Sequence, residues 1–309
     1  GLLFTPWMIN QIGKADYGLY TLAQSIILFF SMDFGLGESV SKFLSKFNAE
    51  KQEEKKKDFL GITFKLYLII DCIIIIALLI VYFFSDSIYT ELTPVELEKF
   101  KIVFLIAAFY AISSFPFQPV NGILISHERF IFIKFTDMLH RLLTVFTLIV
   151  VLLMGHRLYA LVTINAITGF IAIGIKVFYI LRNKLAHINF KAWDKKLLKE
   201  IFSFSIWITI IVFAQRFIFN VTPSILAAVS GAEEIAIFSI ASTMEGYVWL
   251  IASALNGLFL PKITNLLIKD RAPDEVERLM IKIGRIQLMI IGLLYTGFLV
   301  VGKEFINLW

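Results

Sequence analysis

Stretches of about 20 apolar residues, the length that crosses a bilayer's hydrocarbon at roughly 1.5 Å per helical residue, recur from one end of this chain to the other. Short charged breaks separate them. A chain patterned in this way has more apolar surface than a water-facing core can hold, so lipid is its solvent and its backbone must pair within helices. The stretches are Gly1 to Ile12, the tail of a first span, then Leu19 to Phe47, Phe59 to Phe84, Phe100 to Ile125 and Phe130 to Met154. Leu158 to Leu181, Leu198 to Ser230, Ile235 to Leu267 and Leu279 to Val301 follow. Nine spans are predicted in an all-α, polytopic membrane bundle. Hydrophobic residues make up 58% of the 309 and charged residues 17%, outside the range of an ordinary soluble domain. The chain opens inside an apolar stretch without an initiator Met, and it stops just after one, so both ends are expected to be truncated.

The breaks alternate in charge, which predicts orientation because Lys and Arg near span ends stay on the cytoplasmic side. Lys42, Lys46, Lys51, Lys55, Lys56 and Lys57 surround the break after span 2, whereas Asp86, Glu91, Glu96 and Glu98 follow span 3. Arg129 and Lys134 follow span 4, a run from Arg182 to Lys199 follows span 6, and Lys269, Arg271, Arg278 and Lys282 follow span 8. Even-numbered spans therefore end in the cytoplasm. The net charge of +5 is spread over these breaks rather than over one soluble face, so nucleic acid is not an expected partner. Cys72 stands alone, and His127, His140, His156 and His187 have no metal-ligand spacing, so neither a disulfide, a metal nor a cofactor is predicted.

The longest basic break, Arg182 to Lys196, divides the chain into an N-terminal lobe, residues 1–190 with spans 1 to 6, and a partial C-terminal lobe, residues 191–309 with spans 7 to 9. An internal repeat agrees with that division. Gly13, Tyr17, Leu19, Tyr20, Leu22 and Ala23 match Gly231, Ile235, Ile237, Phe238, Ile240 and Ala241 in constant register. Span 1 to 2 thus corresponds to span 7 to 8. A repeat of six spans keeps both copies in one orientation, so the lobes are expected to be related by a pseudo-twofold axis along the membrane normal, with the second lobe truncated.

The segment Gly13 to Lys46, GKADYGLYTLAQSIILFFSMDFGLGESVSKFLSK, resembles the start of the polysaccharide-repeat-unit flippases, the Wzx type of the multidrug, oligosaccharidyl-lipid and polysaccharide exporter superfamily. PVNGILISHERF, Pro119 to Phe130, is similar to that family's fourth span and following turn; Ser230 to Ala241 is similar to its seventh loop and eighth span, which Pro261 closes. The resemblance implies a transporter and not an enzyme. It carries an oligosaccharide on a polyprenyl pyrophosphate, an O-antigen, capsule or exopolysaccharide repeat unit, from the inner to the outer leaflet of a bacterial inner membrane by alternating access. Membrane lipid, glycosyltransferases and a polysaccharide polymerase are the partners it implies. Where many relatives carry an acidic residue in span 7, this chain has Thr222, so the resemblance supplies no coupling acid there. A cation-coupled multidrug exporter and a peptidoglycan-precursor flippase of the same superfamily are the alternatives. A membrane glycosyl polymerase is disfavoured, because no outside break is long enough to hold a catalytic domain.

Ionisable groups deep in hydrocarbon cost about 3 kcal/mol or more each, which makes them the candidates for function. Arg216 and Glu245 stand about 21 Å along their helices from the loop joining spans 7 and 8. Either they form a permanent ion pair, or Arg216, with Gln215 and Asn220, receives pyrophosphate or sugar hydroxyls while Glu245 is its releasable partner. Pro223 should interrupt span 7. In span 2, Asp33 is the candidate for proton or cation coupling; Glu38 joins it only if the nearby glycines break the helix, and otherwise pairs with Lys42. Asp137, His140 and Arg141 share one face of span 5, as a vestibule lining or as an Asp137 to Arg141 bridge within the helix. Lys65, Lys176 and Arg285 lie near cytoplasmic span ends and are expected to snorkel. Asp71 has no evident partner.

Overall fold

A glycine forms the first joint of the chain. In the computed structural model, which describes residues 4–268 and 273–308, α1 (Phe4–Ile12) ends at Gly13, and α2 (Lys14–Phe30) starts directly after it. Gly13 has φ 93°, a conformation open to glycine and strained for other residues. The next joint is built by a carboxylate. Asp33 accepts from the amides of Gly35 and Gly37, both at 3.1 Å, while Phe34 and Gly35 take φ of 52° and 69°. The amides at the start of α3 (Leu36–Ala49) therefore find their acceptor in a side chain. The stretch read as span 2 is thus two helices of 17 and 14 residues.

Long helices follow: α4 (Glu53–Ile88), α5 (Pro94–Ser114), a 3₁₀ turn at Phe115–Phe117, α6 (Pro119–Ser126), α7 (Phe130–Leu153) and α8 (Leu158–Arg182). Then come α9 (Lys195–Asn220), α10 (Thr222–Val229), α11 (Ala232–Ile268) and α12 (Pro273–Leu308). No strand occurs among the described residues. Among the described residues, seven segments are long and apolar enough to cross a membrane, and they correspond to spans 3 to 9. Local chemistry explains several ends. Thr93 and Glu96 form a reciprocal capping box at the start of α5 with Pro94 in the first turn. Pro116 and Pro119 lack amides, and the 3₁₀ turn separates α5 from α6. The interruption expected at Pro223 separates α9 from α10. Helix α11 continues through Pro261 to Ile268, and Lys269 and Arg271 lie outside the described residues.

Helix α4 shows how the bundle meets its solvent. Ile69, Ile73, Ile76, Ile80 and Phe83 recur at spacings of three and four and are all exposed, with Phe83 at 71%. Tyr67, Asp71, Ile74, Leu78 and Ser85 on the other side are buried. One face is apolar and outward, the other packs inward, which is the arrangement of a helix in lipid.

The chain divides into two compact units, Met8–Ala236, and Ile237–Trp309 with Gly1–Trp7. The first contains α2 to α10. Its core joins Leu19 and Leu22 of α2, Val40 and Leu44 of α3, Phe59 and Tyr67 of α4, and Phe100 and Phe104 of α5. Within it α3 packs on α6, α7 on α8, and α2 on α5. In the second unit α12 presents an exposed apolar surface that includes Leu288, Leu293 and Val300. Gly231 precedes α11 as Gly13 precedes α2, and both have positive φ, 103° against 93°.

Candidate functional site

The polar residues of α7 meet a cation that their own sequence neighbourhood does not contain. Asp137 and His140 are one turn apart on α7, and across the helix interface Lys176 of α8 donates to Asp137 Oδ1 at 2.8 Å and to Asn121 Oδ1 of α6 at 3.1 Å. Lys176 is 9% exposed, so it does not snorkel as its distance from the helix end suggests. Its stem leaves α8 on the face covered by α5 to α7, where turning toward a carboxylate satisfies the ammonium without unpacking the stem. Asp137 accordingly bridges to α8 and not to Arg141, which is exposed. His140 lies within electrostatic reach of Asp137, Lys176 and Arg141, and its Nε2 is buried without a hydrogen-bond partner.

This pair borders a cavity of about 180 Å³ lined by Tyr110, Ser114, Gln118, Asn121, Ile173 and Lys176. The 3₁₀ turn between α5 and α6 places Gln118 and Asn121 on its wall. Tyr110 rests its hydroxyl over Gly169, where a Cβ would collide, and Thr144 and Thr168 hydrogen-bond across the α7–α8 seam at 2.8 Å. Small residues and hydroxyls thus hold four helices close around one half-buried ion pair.

The break in span 2 builds a second polar region. The glycines do interrupt the helix, with Asp33 before the break and Glu38 in the first turn of α3. The Tyr67 hydroxyl and the Thr63 hydroxyl one turn away are buried without partners. Asp71 Oδ1 is likewise buried and unpartnered. Asp33 itself is occupied, since each of its oxygens holds a backbone amide. Glu38 is exposed and forms no ion pair with Lys42, whose Nζ instead stands 3.7 Å from the centroid of the Phe204 ring on α9. Ser39 and Ser205 hydrogen-bond at 2.7 Å, and Thr209 Oγ1 donates to the Phe34 carbonyl at 2.8 Å, so α9 is bound directly to the broken segment.

On α9, Arg216 and Asn220 are partly buried and Gln215 is exposed; Glu245 is exposed on α11, in the other unit. Sequence reading missed a basic groove of about 650 Å³ lined by Lys42, Phe43, Lys196, Lys199, Glu200 and Phe204. Its lysines were visible as topology signals, and the i, i+3 spacing of Lys196 and Lys199 was the available hint that they share a face. The basic break before α9 is also fastened to α4. Asn189 Nδ2 donates to Asp58 at 2.7 Å, and Lys65 Nζ reaches the Ala192 carbonyl at 2.8 Å.

Residues 1–264 match the family model described as polysaccharide biosynthesis protein. No curated protein and no solved structure matches the chain.

Proposed function

Because the chain belongs to the polysaccharide biosynthesis protein family, that of the Wzx-type repeat-unit flippases, and is a multi-pass membrane protein of a transporter family, we propose that it moves a polyprenyl-pyrophosphate-linked oligosaccharide from the inner to the outer leaflet of a bacterial inner membrane. The observation that carries this reading is the family match over residues 1–264. The groove of Lys42, Lys196 and Lys199 supports an anionic cargo, since clustered ammonium groups beside a membrane favour phosphate oxygens. The polar cavity beside Lys176 supports contact with sugar hydroxyls. Arg216, Gln215, Asn220 and Glu245, together with Asp137, His140 and Arg141, are proposed to line the path. Two lobes related by a parallel repeat and divided at residues 190 and 191 are part of the proposal, supported by the sequence register shared by Gly13 and Gly231.

The test is complementation of a strain that lacks its own repeat-unit flippase. Arg216→Ala should abolish complementation while membrane insertion is unchanged, and normal complementation would remove Arg216 from the path. Resistance to cationic drugs on expression, without rescue of polysaccharide export, would favour the multidrug exporter. Rescue of a strain depleted of its peptidoglycan-precursor flippase would move the cargo to that lipid.

A further inference from the structure

We infer that Lys176 is a tethered counter-cation: its ammonium occupies a monovalent-cation position formed by Asp137 and Asn121, so the α5–α8 half of the bundle functions without an inorganic ion at that place. The geometry is that of ion coordination. Two oxygens from different helices, Asp137 Oδ1 and Asn121 Oδ1, converge on one positive centre at 2.8 and 3.1 Å. That centre is nine-tenths buried and borders a cavity whose wall carries the oxygens of Tyr110, Ser114 and Gln118. An ammonium group is close in size to a potassium ion, and the hydroxyl and amide oxygens around it are hard ligands of the kind alkali ions accept.

The cation bonded to Asp137 is Lys176. The charged and titratable groups facing it from α7 are Asp137, His140 and the exposed Arg141. From α8 comes Lys176; α5 and α6 contribute neutral groups. Asp137 keeps 48% of its side chain exposed, which gives an incoming ion access to the carboxylate. Replacing Lys176 by a neutral residue leaves that carboxylate uncompensated beside a polar cavity enlarged by the shortened side chain. An alkali ion from solution should then enter. This inference does not depend on the cargo.

The experiment is thermal unfolding of the purified chain in detergent, with LiCl, NaCl, KCl or N-methylglucamine chloride at one ionic strength. The wild type and the charge-balanced Asp137→Asn/Lys176→Gln variant should each unfold at one temperature in all four salts. Lys176→Gln should unfold early in N-methylglucamine chloride and recover saturably, by several degrees, with at least one alkali cation, as a ligand that binds only the folded state requires. A saturable cation response in the wild type overturns the proposal, because the position would then not be filled by Lys176. An equal response in the double variant places the ion elsewhere and overturns it too. So does a Lys176→Gln protein that recovers in no salt while the double variant folds.

Discussion

Replacing Asp33 separates two roles for a carboxylate inside a membrane bundle. Its oxygens hold the amides of Gly35 and Gly37 at 3.1 Å each, at a joint where Phe34 and Gly35 have positive φ. Losing an N-terminal helix acceptor costs about 1 kcal/mol and at most about 2. Two amides lose their acceptor together, and the negative charge at the start of α3 adds about 0.3–1 kcal/mol, so Asp33→Ala should destabilise by about 2–3 kcal/mol. Asp33→Asn keeps one carbonyl acceptor and loses the charge, for an expected cost of about 1 kcal/mol. Heat unfolding in detergent measures the order Asp33, Asn, Ala, and complementation measures transport. If Asp33 serves as the helix's acceptor, Asn retains most transport and Ala loses transport in proportion to folded protein. Full stability in Asp33→Asn together with abolished transport would refute this reasoning and restore Asp33 as the coupling acid.

Three further outcomes are expected. Gly61→Ala places a Cβ against the Asn189 carbonyl oxygen; it should push the 183–194 break off α4 at a cost of about 1–3 kcal/mol and speed its cleavage in limited proteolysis. Thr144→Val removes one side of the Thr144–Thr168 hydrogen bond and leaves the buried Thr168 to its backbone acceptors, so unfolding should shift by about 1 kcal/mol; an unchanged midpoint would show that the seam is held by shape alone. Lys176→Met should destabilise by about 2–3 kcal/mol, less than for a fully buried pair because Asp137 is half-exposed, and adding Asp137→Asn should restore much of the loss in a double-mutant cycle.

The membrane-spanning helices were legible because hydrocarbon imposes one period and one length on every segment, and α4 displays both in its Ile69 to Phe83 stripe. The interruption at Pro223 was legible for a similarly local reason, a missing amide. The joint at Asp33 was half legible: the glycines marked it, but only the folded chain assigns the carboxylate to the amides that follow. Lys176 was misjudged because distance to a helix end is a one-dimensional quantity, while snorkelling depends on whether the helix face is covered. Its partners Asn121 and Asp137 come from α6 and α7, and no spacing along α8 encodes them. Lys42 illustrates the same limit. Its i+4 relation to Glu38 offered a pair, and the aromatic ring of Phe204, far away in sequence, took the ammonium instead.

That ring contact bears on how an anionic lipid would be received. Lys42 is held over Phe204 by cation–π attraction at 3.7 Å, and Lys196 and Lys199 stand on the same groove with a single carboxylate, Glu200, to offset them. Each lysine near an anionic headgroup contributes about 1 kcal/mol, so neutralising all three as Lys42→Gln/Lys196→Gln/Lys199→Gln should weaken binding of a polyprenyl pyrophosphate by about 3 kcal/mol, roughly a hundredfold. The groove is open to solvent, where charges more than about 8 Å apart are screened at physiological salt, so the wild-type affinity should fall steeply with NaCl and the triple variant's should not. Fluorescence titration with a short-chain polyprenyl pyrophosphate in detergent, repeated with inorganic pyrophosphate, measures both. Phe204→Leu is the sharper probe, since it keeps every charge and releases Lys42 from its ring; affinity should drop by about 0.5–1 kcal/mol while the salt slope stays. A triple variant that binds as tightly as the wild type, with the same salt slope, would mean that these lysines mark the membrane surface and take no part in receiving the lipid.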